Sequence, residues 1–311
     1  MSAAQADVPE PDETIWFDSQ SPASFTDLLE RREMARTAVR GLLYLPLERG
    51  CKAPLVLISI GSRGFESGRE ALYIEHLTKA GFAVFITDSF AARGFTETMS
   101  DQSLLSAAGT CADALYGLRR LANHPKVDAA RAAVLGYSRG GTVSTLLADA
   151  RLQAAIPGDG PGFAAHVALY PSCSPQWRNP QPTQAPIIML LGGADVMAPV
   201  GNALAYAAKL GAAGAPLEIH LYPKAHHSFD AAHPATPGNS VTLQRAVISI
   251  EDHGEMYEET TGLRDREGWG PFYKAIVAQR AKTGSMTGHG PYPRTIAMAT
   301  TIAFLDRHLK P

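Results

Sequence analysis

The sequence predicts an α/β fold with a mostly parallel central sheet and helices on both faces. Three observations carry that prediction. Short, continuously apolar runs recur at 54–60, 82–87 and 132–136, the pattern of strands buried on both faces. Segments with apolar residues at helical spacing alternate with them. One run passes directly through Gly136-Tyr137-Ser138-Arg139-Gly140 into small residues, a strand, a sharp Gly-x-Ser-x-Gly turn and the start of a helix.

The elements follow in order. Residues 1–20 are polar, acidic and proline-containing, and read as an N-terminal tail or arm. The rest, 21–311, reads as a single domain. Residues 38–46 are β-like and end at a proline. The strand at 54–60 enters Gly61-Ser62-Arg63-Gly64, as a buried strand feeding a loop would. A helix over 69–80 places Leu72, Ile74, Leu77 and Ala80 inward and stops at Gly81. After the strand at 82–87, a helix over 104–121 has Leu105, Ala108, Ala112, Leu115, Leu118 and Leu121 at roughly helical spacing. Strand 132–136 and a helix over 139–150 follow, then strands near 165–170, 187–191 and 217–222. An amphipathic helix over 293–309 closes the chain.

The irregular stretch is 228–291, rich in Gly, His, Pro and Thr. A structureless loop of that length is unusual in a compact domain, so it should carry short elements of its own and lie over the site as an insertion or lid-like excursion. Its Tyr257, Trp269, Phe272, Tyr273 and Tyr292 fit two readings: an apolar wall for a ligand, or a satellite core that anchors the excursion.

Composition narrows the partners. A chain of 311 residues with 45% apolar and 19% charged residues can bury a large core. A formal charge of −2 gives no electrostatic reason to expect nucleic acid or an anionic membrane surface, and no apolar run is long enough to span a bilayer. Three widely spaced cysteines, Cys51, Cys111 and Cys173, argue against a disulfide framework and for a reducing compartment. With no basic-then-apolar signal pattern near the start, the expectation is cytoplasmic.

The chemistry-bearing residues fall at strand ends, where ligands gather in open α/β sheets. Ser138 sits in the sharp turn. Glycines two residues before and after leave room where a Cβ would clash, and the hydroxyl projects at the positive end of a helix. After strand 187–191 comes Gly192-Gly193-Ala194-Asp195, with Pro199 beyond. After strand 217–222 comes His226-His227-Ser228-Phe229. The order Ser138, Asp195, His227 is that of a nucleophile, acid and base in hydrolases built on such sheets. Asp195 read alone is equally a turn-capping aspartate.

Taken together, these segments resemble the dienelactone hydrolase family of the α/β-hydrolase superfamily. The resemblance runs from about 38 to 229 and again over the last helix. It rests on the strand and loop 55–64, Asp88-Ser89-Phe90-Ala91-Ala92-Arg93-Gly94, Gly-Tyr-Ser-Arg-Gly-Gly at the turn, Gly193-Ala194-Asp195 with Pro199, and His227-Ser228-Phe229. The pattern His-Ser-Phe selects His227 over His226 as the base. The namesake enzymes carry cysteine where this chain has Ser138, like serine relatives, and the first oxyanion loop usually begins His-Gly where this chain has Ile60-Gly61.

The resemblance implies a serine hydrolase acting on a small-molecule carboxylic ester or lactone, with Ser138, Asp195 and His227 as triad and no cofactor or metal. Its oxyanion hole would use the backbone N–H of Arg139 and one from Ser62 or Arg63. Because family members that open dienelactone hold its carboxylate with arginines, Arg63, Arg93 and Arg139 are candidates for binding a carboxylate-bearing substrate; the other reading is structural ion pairing or solvent exposure. Three rival readings stand beside this one. Alcohol, amine or thiol acceptors could intercept the same acyl-enzyme. The fold could serve as a catalytically silent binding protein. His226, His227, His233 and Asp230, or Asp252, His253 and Glu255, could ligate a metal, although their spacing fits no recognised zinc pattern.

Overall fold

The structure, a computed structural model, describes residues 8–47, 51–157, 160–243, 245–289 and 294–311. Its frame is an eight-stranded sheet in the order β1-β2-β4-β3-β5-β6-β8-β9. The strands are β1 (Glu13–Gln20), β2 (Arg36–Tyr44), β3 (Ala53–Ser59), β4 (Ala83–Asp88), β5 (Val127–Tyr137), β6 (Ala165–Leu169), β8 (Ile187–Gly192) and β9 (Leu217–Tyr222). All neighbours from β4 to β9 run parallel, while β1 and β2 are antiparallel additions at one edge.

Side chains alternate across a strand, and the core divides accordingly. Leu55, Leu57 and Phe85 face one side, with α3 (Ala107–Leu121), α4 (Arg139–Leu146) and α6 (Val200–Ala212). Val56, Ile58, Val84 and Ile86 face the other, with α2 (Ser67–Lys79) and α8 (Arg294–Leu309). Both faces are covered, as the continuously apolar strands predict.

Several boundaries differ from the sequence reading. Residues 13–20, expected in a tail or arm, form edge strand β1, with Ile15, Phe17 and Ser19 turned inward and Trp16 outward; residues 1–7 lie outside the described residues. The helix expected from 104 begins at Ala107, because Ser106 caps it by accepting from Gly109 N. The expected helix 139–150 is two, α4 and α5 (Ala150–Ala155), divided where Asp149 caps the second by accepting from Arg151 N. A five-residue helix α1 (Phe25–Leu29) and α6 were not anticipated.

The excursion after β9 has its own elements. β10 (Thr236–Thr242) pairs with β13 (Lys282–Thr287). β11 (Ile248–Ile250) lies between β12 (Met256–Glu258) and β7 (Pro175–Trp177), which follows β6. Helix α7 (Trp269–Arg280) completes it. Ile248, Ile250, Met256, Trp269, Phe272 and Ile276 join the core on one face of the main sheet. The excursion is therefore built onto the domain rather than hung from it.

Candidate active site

Strand β5 delivers Ser138 at the cap of α4 with φ 57° and ψ −117°, a strained conformation for a residue bearing a Cβ. Close packing on both sides explains its neighbours. A Cβ at Gly136 would lie 2.0 Å from Gly140 O, and one at Gly140 would lie 1.9 Å from Ser59 O. The turn can be this sharp only because those positions carry no side chain.

The loops after β8 and β9 bring two more side chains to the serine. Asp195 Oδ1 accepts from Met197 N and Ala198 N, each at 2.8 Å. Its Oδ2 is 2.7 Å from His227 Nδ1, and His227 Nε2 is 2.9 Å from Ser138 Oγ. A carboxylate only accepts, so Nδ1 carries the imidazole proton and Nε2 is free to accept from the serine hydroxyl. The Asp195 and His227 side chains are only 1% and 3% exposed. With the two backbone bonds at Asp195 this fixes the carboxylate, and through it one edge of the imidazole.

Residues 61–64 lie against Ser138. A Cβ at Gly61 would sit 3.6 Å from Ser138 Cβ. Gly64, at φ +77°, closes the turn by donating from N to Gly61 O at 3.0 Å. Ser62 is buried and lines a cavity that also contains Ser138 and His227, whereas Arg63 is exposed.

The remaining arginines separate clearly. Arg93 donates from Nη1 and Nη2 to the two oxygens of buried Asp113, at 2.9 and 3.0 Å, and does not line the cavity. Its guanidinium is the counterion of a carboxyl that burial pushes up, which matches the structural-ion-pair reading and not the substrate-binding one. Arg139 lines the cavity and is 9% exposed. Its Nη2 donates to Leu105 O, Ser106 O and Thr110 Oγ1, while Nε is buried without a partner. Burial lowers its pKa to about 10; this remains high enough to keep it charged at neutral pH.

The excursion supplies much of the opposite wall. Val241, Leu243, Ile248, Trp269 and Tyr273 face the cavity, with Met197 beside them. Trp269 and Tyr273 pack with ring centroids 5.1 Å apart and belong to the core as well as to the cavity wall. Phe272 is core, and Tyr257 lies under Arg264. Tyr292 lies outside the described residues. Sequence reasoning passed over Val241 and Leu243, although two apolar residues flanking Thr242 in a polar stretch are a period-2 signal.

The groups weighed as metal ligands are dispersed. His226 Nδ1 faces Ala194 O at 3.1 Å, His233 Nδ1 faces Pro234 O at 2.9 Å, and Asp252 pairs with Arg151 at 2.8 Å. Among the described residues, no group of three or more His, Cys, Asp or Glu is disposed to hold a metal ion. Nor is any described helix long and apolar enough to cross a membrane.

Comparison with known proteins gives the same family as the sequence motifs. The model of the dienelactone hydrolase family matches residues 39–250, more than half of the chain. No match is found among curated proteins. Among solved structures, the apo form of Thermogutta terrifontis esterase 2 is similar at TM-score 0.52 and 15% identity, covering 74% of this chain and 89% of that one. The same esterase phosphoramylated by tabun is similar at TM-score 0.50 and 15% identity, covering 72% and 88%. A protein described as a dienelactone hydrolase from Klebsiella pneumoniae subsp. pneumoniae MGH 78578 is similar at TM-score 0.49 and 20% identity, covering 70% and 89%.

Proposed function

This chain belongs to the dienelactone hydrolase family of hydrolases acting on ester bonds, and we propose that it cleaves a carboxylic ester or lactone through an acyl-enzyme on Ser138. The observation that carries this reading is the continuous chain Ser138 Oγ, His227 Nε2, His227 Nδ1, Asp195 Oδ2 at 2.9 and 2.7 Å. A serine hydroxyl is a weak nucleophile until a base removes its proton. His227 takes it as Ser138 attacks the acyl carbon and returns it to the leaving alkoxide. A water then repeats the sequence on the acyl-enzyme. Asp195 holds the tautomer and stabilises the imidazolium that forms in each half.

The tetrahedral oxyanion needs preorganised donors. Arg139 N, first in α4 after the nucleophile, is one. For the second we favour Ser62 N over Arg63 N, because Ser62 lines the cavity and lies in the turn packed against Ser138. The Arg139 guanidinium narrows the substrate class. Its charge is buried in the cavity wall, and no carboxylate is within ion-pair distance among the described residues. Such a group is costly unless a partner arrives, which supports a carboxylate-bearing ester or lactone. The free state of Cys51, Cys111 and Cys173 supports work in a reducing, cytoplasmic setting.

The test is transient kinetics with a chromogenic ester. A burst of alcohol equal to the enzyme concentration, with the acyl group retained in the intact mass, is the expected result. Rate-limiting acylation gives no burst, so the rejecting result is a product ratio between water and added methanol that changes with the leaving group, which a common acyl-enzyme forbids.

A further inference from the structure

Beside the triad lies a second buried polar cluster that ester cleavage does not use. It begins on one face of α2. Glu66 stands at the N-cap position, and Arg69, Glu70 and Tyr73 follow at spacings of three, four and seven from it, so the four share one side. Tyr137, immediately before the nucleophile, donates its hydroxyl to Glu70 Oε1, and the Arg69 guanidinium lies 4.6 Å over the Tyr137 ring. Arg69 also pairs with Glu66 at 2.7 Å and lies 3.8 Å from Asp230.

Asp230 is three residues beyond His227 and 1% exposed. Tyr73 donates to its Oδ2 at 2.8 Å, and Tyr170 donates to its Oδ1. Tyr170 follows β6 with φ +38°, a conformation unusual for an aromatic residue. With its hydroxyl on Asp230, its ring lies edge-on to the His227 imidazole, with centroids 4.8 Å apart at 64°.

We propose that Tyr170, held by Asp230, is a positioning residue for His227, fixing the ring face that Asp195 leaves free. Asp195 holds Nδ1, and the Nε2 contact to Ser138 is given up when the hydroxyl attacks, so Asp195 alone then permits rotation of the imidazole about its own contact; the Tyr170 ring blocks it. Stability alone does not require this arrangement, because well-packed apolar residues can replace a buried charged cluster without loss. The strained tyrosine and its contact with the base point to function, as strain held by surrounding structure often does. The inference rests on His227 being the general base.

Two variants separate positioning from mere structure. Tyr170→Phe and Tyr73→Phe each delete one hydroxyl bond to the same carboxylate, but among the described ring contacts only Tyr170 packs on the His227 imidazole, while Tyr73 packs on Tyr137. We expect similar losses of Tm in both. Only Tyr170→Phe should lower kcat, by about tenfold at unchanged KM, as a small misplacement of a reacting group does. Its fluorophosphonate labelling rate at Ser138 should fall by the same factor. Equal kcat in the two variants, or a change confined to KM, would overturn the proposal. Should Tyr170→Phe not fold, Asp230→Asn carries the same readout, with a lower kcat at unchanged KM expected and wild-type kcat overturning it. Wild-type labelling of Ser138 with undiminished labelling in Tyr170→Phe would reject the positioning role alone, whereas unlabelled wild-type protein would reject the underlying reading.

Discussion

The triad and the wall facing it are built in opposite ways. Ser138, Asp195 and His227 follow the ends of β5, β8 and β9; β8 is buried throughout and β5 is buried from Ala132 to its end. Across the cavity, Val241 and Leu243 belong to a stretch of small, polar strands whose residues are largely exposed. The first region holds its hydrogen-bonding atoms at 2.7 and 2.9 Å from one another. The second supplies shape, and its side chains can change without disturbing the sheet. Chemistry should therefore be sensitive to substitution in the first region and substrate preference to substitution in the second.

The largest effect expected is on the sheet side. Ser138→Ala should lower kcat by about 10⁴-fold or more, and Asp195→Asn by up to about 10⁴-fold by favouring the wrong imidazole tautomer; steady-state kinetics on an activated ester would check both. A smaller loss would show that the triad does not act as a unit. Arg139→Gln should reduce the preference for carboxylate-bearing over neutral esters of equal size by roughly 10–100-fold, the worth of a charge-assisted hydrogen bond. Equal kcat/KM for the two ester classes in the wild type would remove the anion-binding role.

The next effects test the sheet side against pH and the excursion against substrate size. Burial raises the Glu70 pKa to about 7, from an ordinary value of 4.5. The native state then binds this proton more tightly than the unfolded state does. The stabilisation is complete below about 4.5 and is lost as the pH rises through 7. In free energy this is of order 3 kcal/mol. Glu70→Gln should flatten the decline of Tm between pH 5 and 7, and an unchanged slope would contradict the assignment. Val241, 40% exposed, should be the gentlest probe. Val241→Ala should leave stability within about 0.5 kcal/mol and shift the KM ratio of long to short acyl esters while kcat on a small ester stays constant. A collapse of kcat would show that the wall also positions the triad.

The same contrast explains what was legible in the sequence. The buried strands and the Gly136–Ser138–Gly140 turn are local patterns, so they could be read directly; the choice of His227 over His226 rests on the family resemblance. β1 could not be read, because apolar Trp16 on the outward face, between inward Ile15 and Phe17, blurs the apolar–polar contrast of a strand that does alternate. The α4–α5 break has no glycine or proline to announce it; the only signal is the capping Asp149. Glu66, Arg69, Glu70 and Tyr73 carry no local signal of burial, and only the packing of Tyr137, Tyr170 and Asp230 against them reveals a buried cluster. Arg93 and Arg139 are alike in sequence and differ in the fold, since Asp113 pairs with one and no carboxylate with the other.

The most direct measurement of the central claim is labelling with a fluorophosphonate, read by intact mass and peptide mapping on wild-type protein and Ser138→Ala. A single adduct on Ser138, absent from the folded variant, is the predicted result. Folded wild-type protein that takes no label, or takes it elsewhere and keeps it in Ser138→Ala, would contradict the assignment of Ser138 as an activated nucleophile.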